Sequence, residues 1–222
     1  MSNAHLQVAV FGATGGTGSL VLQQALDAGH HVTALVRTPA KLTVSHPNLV
    51  VVHGSVFDRS AVEQTVRGAD TVICALGAPP RSKERLRERG TQFVVDAMVA
   101  AGVRRLVVQS SHGIAETRSE LPWLMRWVIV PFYLKGVFAD HERQEDVVRA
   151  SDLGWTIVRP PHLSDGPPAA EVAYGPSYDP ARMTMSIARA DVARLMLEVA
   201  SDSSHARKTL VVAAAQPQTV AA

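Results

Sequence analysis

The chain of 222 residues contains one cysteine, Cys74. No internal disulfide can form, and no multi-cysteine metal site can assemble; a reducing compartment fits. Aromatic residues are scarce, at 5%. Neither sign of charge prevails, because 22 Lys and Arg stand against 20 Asp and Glu, a formal +2. That balance excludes the basic excess of a dedicated nucleic-acid binder. The first residues lack a basic stretch followed by an apolar run, so no secretory signal is expected. The one membrane-like stretch, Leu121 to Leu134, is too short to span a bilayer, and Pro122, Arg126 and Pro131 interrupt it. A soluble, cytoplasmic protein is expected, with neither a membrane nor a nucleic acid as partner. Hydrophobic residues nonetheless make up 46% and charged residues 19%. This excludes a disordered chain and a charged coiled coil, and the length suffices to bury a substantial core.

Short β-type runs alternate with helical patterns. Strands are predicted over Leu6–Phe11, His31–Val36, Asn48–His53, Thr71–Leu76, Leu106–Gln109, Trp155–Val158 and Leu210–Ala213. Helical spacing begins at Leu20 and stops at Gly29. Further helices are predicted from Asp58 as cap to Val66, over Arg85–Ala101, over Val137–Ala150 and over Asp191–Ala200. Thr38-Pro39 reads as another helix start. Strands alternating with helices imply right-handed βαβ units and an α/β fold. Continuous apolar strands imply a doubly wound parallel sheet with helices on both faces. No linker or repeat divides the chain, so 1–222 reads as one domain. Two stretches, 113–136 and 163–189, have no predicted sheet role. Each follows a strand on the side where open α/β sheets bind ligands, and both read as substrate loops.

Val8-Ala-Val-Phe-Gly-Ala-Thr-Gly-Gly-Thr-Gly18 places glycines at 12, 15 and 18 between a strand and a helix. Glycine allows a tight turn and close approach of backbone to a pyrophosphate. The helix N-terminus adds free N–H groups and the positive end of a dipole. Gly12, Thr14, Gly15, Gly16, Thr17 and Gly18 are therefore cofactor-binding candidates. Arg37 ends the second strand, where NAD-specific folds place an acid, and no acid lies between Gly29 and Thr43. An arginine there can pair with the 2′-phosphate of NADP(H), with Thr38 and Lys41 assisting.

Phe11 to Gly18, Leu35-Val-Arg37, Gly54-Ser-Val-Phe-Asp58, Thr156-Ile-Val-Arg-Pro160 and Ala190-Asp-Val-Ala193 together resemble an atypical short-chain dehydrogenase. The likeness is to the NmrA-like and biliverdin reductase B (flavin reductase) branch, over residues 6–213. It implies a Rossmann-like fold. By that resemblance Gly54, Ser55 and Val56 lie near the adenine, and Ala75, Leu76 and Gly77 line the cofactor. Ser110 and Ser111 then lie near the nicotinamide, with Pro160, Pro161, His162 and Leu163 near its carboxamide.

The Tyr-x-x-x-Lys pair of many short-chain dehydrogenases is absent, since Val137 stands four residues after Tyr133 and Arg182 four after Tyr178. This disfavours an ordinary alcohol dehydrogenase or a sugar-nucleotide epimerase. Ser111 and His162 are the catalytic candidates. A hydroxyl can hold a developing anion, and an imidazole can orient a carbonyl or carboxylate. Ser110 and His112 flank Ser111. His141-Glu-Arg-Gln-Glu145 is expected on a solvated helix face, without metal. The basic run Arg81–Arg89 reads as a solvated helix start, and Cys74 as buried and inert. Residues 121–134 suit a core, a lid over a flat apolar acceptor, or a homodimer interface. The activity expected is hydride transfer from NADPH to a flavin, quinone or similar conjugated acceptor, which takes its proton from solvent. The rival is a non-catalytic NADP(H)-binding redox sensor.

Overall fold

The computed structural model describes residues 5–77 and 85–216. The first part of the basic run, 81–84, thus lies outside the described residues. The elements run β1 (Gln7–Phe11), α1 (Gly16–Asp27), β2 (His31–Val36), β3 (Leu49–His53), α2 (Arg59–Val66) and β4 (Thr71–Cys74). They continue as α3 (Leu86–Ala101), β5 (Arg105–Gln109), α4 (Lys135–Ala150), β6 (Gly154–Arg159), β7 (His162–Ser164) and β8 (Val172–Gly175). The last are β9 (Ser186–Ala188), α5 (Arg189–Ser201) and β10 (Lys208–Ala214). Eight strands form one sheet in the order β3-β2-β1-β4-β5-β6-β10-β8, and only β8 runs antiparallel to its neighbour. The expected Rossmann-like sheet is therefore present. Strand order reverses between β1 and β4, which opens a crevice at the carboxyl ends of these strands.

Alternation along β1 shows how the sheet is clothed. Val8 and Val10 pack on one face with Val21 and Leu22 of α1 and Val192 and Met196 of α5. Ala9 and Phe11 pack on the other with Val62 of α2, Val94 and Met98 of α3 and Val148 of α4. Both faces are covered, so the central strands are apolar throughout. Asp58 caps α2 as expected, its carboxylate accepting from the N–H groups of Ser60 and Ala61 at 3.1 and 3.3 Å. The start of α3 is unlike this. Arg85 precedes it in the left-handed region (φ 49°) and offers no side-chain cap. Asp140 of α4 does so instead, accepting from the N–H groups of Arg87 and Glu88 at 3.1 and 3.2 Å. The two helices are thereby joined end to side.

Both supposed loops carry structure. Within 113–136 a 3₁₀ turn covers Ala115–Glu120 and a π-helix covers Met125–Leu134. Pro131 has no N–H to donate, which the wide π turn accommodates. A core role for this stretch is overturned for its aromatics, since Trp123, Trp127, Phe132 and Tyr133 are 64–78% exposed. Within 163–189, β7 pairs with β9 in a small parallel sheet, and β8 extends the main sheet through β10. These strands span three or four residues and pair over long sequence distances, so periodicity does not reveal them. Thr38-Pro39 begins no α-helix, only a 3₁₀ turn over Pro39–Lys41.

Candidate functional site

A groove runs across the crevice. Its outer half is lined by Phe11, Gly12, Thr14, Gly15, Leu35, Arg37, Gly54, Ser55, Val56, Leu76, Gly77 and Leu86. Its inner half begins at Gly15, Gly16 and Thr17 and passes Ala75, Leu76 and Gly77. It ends against Arg87, Gln109, Ser110, Ser111, His141, Pro160, Pro161, Leu163 and Arg189. Gly15, Leu76 and Gly77 belong to both halves, which makes the groove continuous.

The turn between β1 and α1 shapes the middle of the groove. Gly12 adopts φ +86°, and a Cβ there would overlap the Ala75 carbonyl. A Cβ on Gly18 would overlap the Gly12 carbonyl instead, so Gly18 sets the packing of α1 on the turn and does not line the groove. The Gly15 N–H donates to the Gly12 carbonyl at 2.9 Å. The first N–H groups of α1 face the groove without side-chain caps. This bare, glycine-lined helix start fits a pyrophosphate. Arg189, at the start of α5, lies over it; a Cβ on Gly16 would come within 2.8 Å of its Nε. Its Nη1 donates to the exposed Asp165 carboxylate at 2.6 Å. Arg37 is exposed at the outer mouth, while Thr38 and Lys41 are outside the lining.

The inner half is built by strand ends and by α3 and α4. The Ser110 N–H donates to the Val158 carbonyl at 2.8 Å, and the His112 N–H to the Pro160 carbonyl at 2.9 Å. These bonds clamp the segments after β5 and β6 together. Ser111 Oγ donates to the His112 carbonyl at 3.1 Å. Ser110 is 2% exposed, and its Oγ has no hydrogen-bond partner. Pro161 and Leu163 face the groove, whereas His162 between them is exposed and outside the lining. Extended backbone turns alternate side chains to opposite sides, so the catalytic role expected for His162 is not supported by its position. His112 also leaves the groove, its ring packing on Tyr178 with centroids 5.4 Å apart. Burial and the charge of Arg159 push its imidazole down to about 4. It is thus neutral at physiological pH, and its approach to Glu120 at 3.7 Å is no ion pair.

The stretch His141–Glu145 departs furthest from expectation. It is not a solvated face, because His141 is 8% exposed and Glu145 3% exposed. The reason is Arg159 of β6, which is 1% exposed and needs partners for its charge. Its Nε and Nη2 donate to the two Glu145 oxygens at 2.8 and 2.6 Å, and its Nη1 donates to Glu116 at 2.6 Å. Burial alone would lower its basicity; the bonds to Glu145 and Glu116 more than offset that and raise it. The pair turns α4 inward, and His141, one turn before Glu145, meets the groove. Burial, then the neighbouring Arg87 guanidinium, push the His141 imidazole down to about 3. Arg87, His141, Gln109 and Arg189 are lining residues that sequence reasoning missed. Buried Cys74, its thiol pushed up to about 11 by burial, approaches Thr91 Oγ1 at 3.7 Å and faces the core. Among the described residues no group of three or more His, Cys, Asp or Glu could hold a metal ion, and no helix is long and apolar enough to cross a membrane.

A family model described as NAD(P)H-binding matches residues 12–203. A (4-alkanoyl-5-oxo-2,5-dihydrofuran-3-yl)methyl phosphate reductase from Streptomyces griseus is 33% identical over 153 residues, 69% of this chain but only 46% of that protein. Reductase pytE from Aspergillus terreus is 28% identical, with 89% of this chain and 92% of that protein covered. Among solved structures, a short-chain dehydrogenase/reductase from Veillonella parvula in complex with NADP superposes with a TM-score of 0.80. It covers 97% of this chain and 96% of its own at 19% identity, a likeness of fold.

Proposed function

The chain belongs to the NAD(P)H-binding family, and on that premise we propose that it is an NADPH-dependent reductase passing hydride to a flavin, quinone or similar conjugated acceptor. The observation that carries this reading is the continuous groove from Arg37, past the glycine turn, to the wall at Ser110 and Pro160. In this reading Leu35, Gly54, Ser55 and Val56 hold the adenine end, and Arg37 pairs with the 2′-phosphate. Gly12 to Thr17 receive the pyrophosphate, with Arg189 adding a charge above them. Ala75, Leu76, Gly77, Ser110, Pro160, Pro161 and Leu163 surround the nicotinamide, which supplies the hydride when bound. Ser111 orients the acceptor or the neighbouring ribose. Val137 stands where a Tyr-x-x-x-Lys enzyme starting at Tyr133 has its lysine, and Tyr133 itself is 71% exposed and outside the groove. A conjugated acceptor needs no such acid, since it takes its proton from solvent. The two relatives named as reductases support the class of reaction.

The test is NADPH oxidation with a panel of quinones, enones and flavins, beside NADPH affinity by fluorescence titration. Turnover of at least one class is expected. Tight NADPH binding with no turnover would replace this reading by the redox sensor. One observation favours that rival: the exposed Trp123, Trp127, Phe132 and Tyr133 lie outside the groove, as the contact surface of a protein partner would.

A further inference from the structure

Three side chains converge on the inner end of the groove that cofactor placement does not fully employ. Arg87, at the start of α3, and His141, on α4, are each 8% exposed, and Ser110 is 2% exposed. All three line one recess. Arg87 Nε, His141 Nδ1 and Ser110 Oγ are buried without hydrogen-bond partners. Buried polar atoms are rarely left unsatisfied, and a cluster of them on one wall calls for a ligand.

The chemistry of the wall is that of a donor set. A guanidinium has only N–H donors, and a hydroxyl donates one hydrogen. The His141 ring, held neutral by burial and by Arg87, donates through one of its nitrogens. The adjacent carboxylate, Asp140, is already engaged by two backbone N–H groups of α3 and by Arg87 Nη1 at 3.4 Å. The recess thus offers hydrogen bonds and positive charge to an oxygen.

We propose that Arg87 and His141, with Ser110 beside them, receive the carbonyl oxygen of the acceptor, on which the electron pair of the reduction collects, as in an enone or quinone. This rests on the reductase reading above, whose acceptor it specifies. Hydride adds to the enone carbon conjugated with the carbonyl or, in a quinone, to the opposite carbonyl oxygen. The double bond shifts, and the electron pair moves onto the oxygen as an enolate or phenolate. The acceptor is reduced, NADPH is oxidised to NADP⁺, and one solvent proton completes the product. The wall holds the developing charge in a buried setting, where such bonds are strong, and is not itself consumed.

The test uses 4-nitrophenolate as an oxyanion probe, titrated by absorbance into the full chain saturated with NADP⁺. The bound probe is expected to stay ionised below the pH at which it is half-protonated in water. His141→Leu and Arg87→Met should each weaken its binding ~10-fold or more, the scale of one lost charge-assisted hydrogen bond. His141→Gln and Arg87→Lys, which keep a donor, should recover part of the loss. NADPH affinity should stay within about twofold in every variant, a change of less than 1 kcal/mol. Should Arg87→Met unfold, because Asp140 loses its partner, His141→Leu decides alone. Unchanged probe affinity in His141→Leu overturns the proposal. So does a parallel loss of NADPH affinity, which would assign the wall to the dinucleotide. These results leave the reductase reading standing; failure of the unmutated protein to bind NADPH removes both.

Discussion

The two halves of the groove are built in opposite ways. The outer half comes from three short segments, 11–15, 35–37 and 54–56, with Leu76, Gly77 and Leu86 closing one side. It relies largely on backbone and glycine, and its one charged side chain, Arg37, is exposed. The inner half gathers side chains from α3, α4, α5 and the ends of β5 and β6. Its charged members are tied to carboxylates, the buried Arg87 to Asp140 and the half-buried Arg189 to Asp165, and behind the wall the buried Arg159 is tied to Glu145. A site made of backbone depends on local geometry alone. A site made of converging side chains depends on the packing of the whole molecule. Substitutions should therefore separate the halves: outer ones change affinity in a stable protein, and inner ones change stability as well.

The largest effect should come from Glu145→Ala, which leaves Arg159 buried with the exposed Glu116 as its remaining acidic partner among the described residues. A loss of ~3–5 kcal/mol in urea unfolding is expected, the usual cost of breaking a buried ion pair. A loss below 1 kcal/mol would erase the contrast between the halves. Next, Gly15→Val should abolish close approach of backbone to pyrophosphate in a folded chain. Losing two charge-assisted hydrogen bonds implies ~3 kcal/mol or more, above 100-fold in NADPH affinity by fluorescence titration. Arg37→Asp should cost ~1.5–3 kcal/mol of NADPH binding and leave NADH nearly unaffected. Equal affinities of the unmutated protein for the two cofactors would contradict the assignment of Arg37.

The smallest effect concerns pH. Burial, and then Arg159, hold His112 neutral down to about 4 in the folded state, while an unfolded histidine takes up its proton near 6.5. Protons bound only by the unfolded chain destabilise the fold as pH falls. Stability should thus be level above 6.5 and decline from there to about 4. His141, held down to about 3, contributes a fall of the same sign. Glu120, raised by burial, faces His112 and offsets part of the decline. His112→Phe keeps the packing on Tyr178 and should flatten the curve by on the order of 1–2 kcal/mol, read from melting temperatures across pH 4 to 7.

The same contrast explains what was legible from residues alone. Gly12 to Gly18, Arg37 and Gly54 to Val56 are contiguous motifs at the ends of strands that periodicity marks clearly, and all but Gly18 and the core residue Ala13 line the groove. Gly18 serves packing, which a glycine motif does not distinguish from ligand contact. His162 looked favourable from its place after β6, but β7 turns its side chain outward. His141 looked solvated because its neighbours are charged; only the demand of Arg159 for Glu145, 14 residues away, reveals that this face is buried. Arg87 belongs to a basic run that reads as solvated, Arg189 stands alone in its segment, and nothing nearby in the chain announces that both line the inner groove.

The joining of α3 to α4 through Asp140 has an entropic consequence. Arg87 and His141 are far apart in sequence, yet the residue next to His141 holds the backbone of Arg87. A long arginine side chain loses about 1.5–2 kcal/mol of rotamer freedom when it is fixed. Here that loss falls on folding, because the Asp140 contact fixes the guanidinium before any ligand arrives. A molecule entering the recess meets donors whose positions are already set, and less of its binding energy is spent on ordering them.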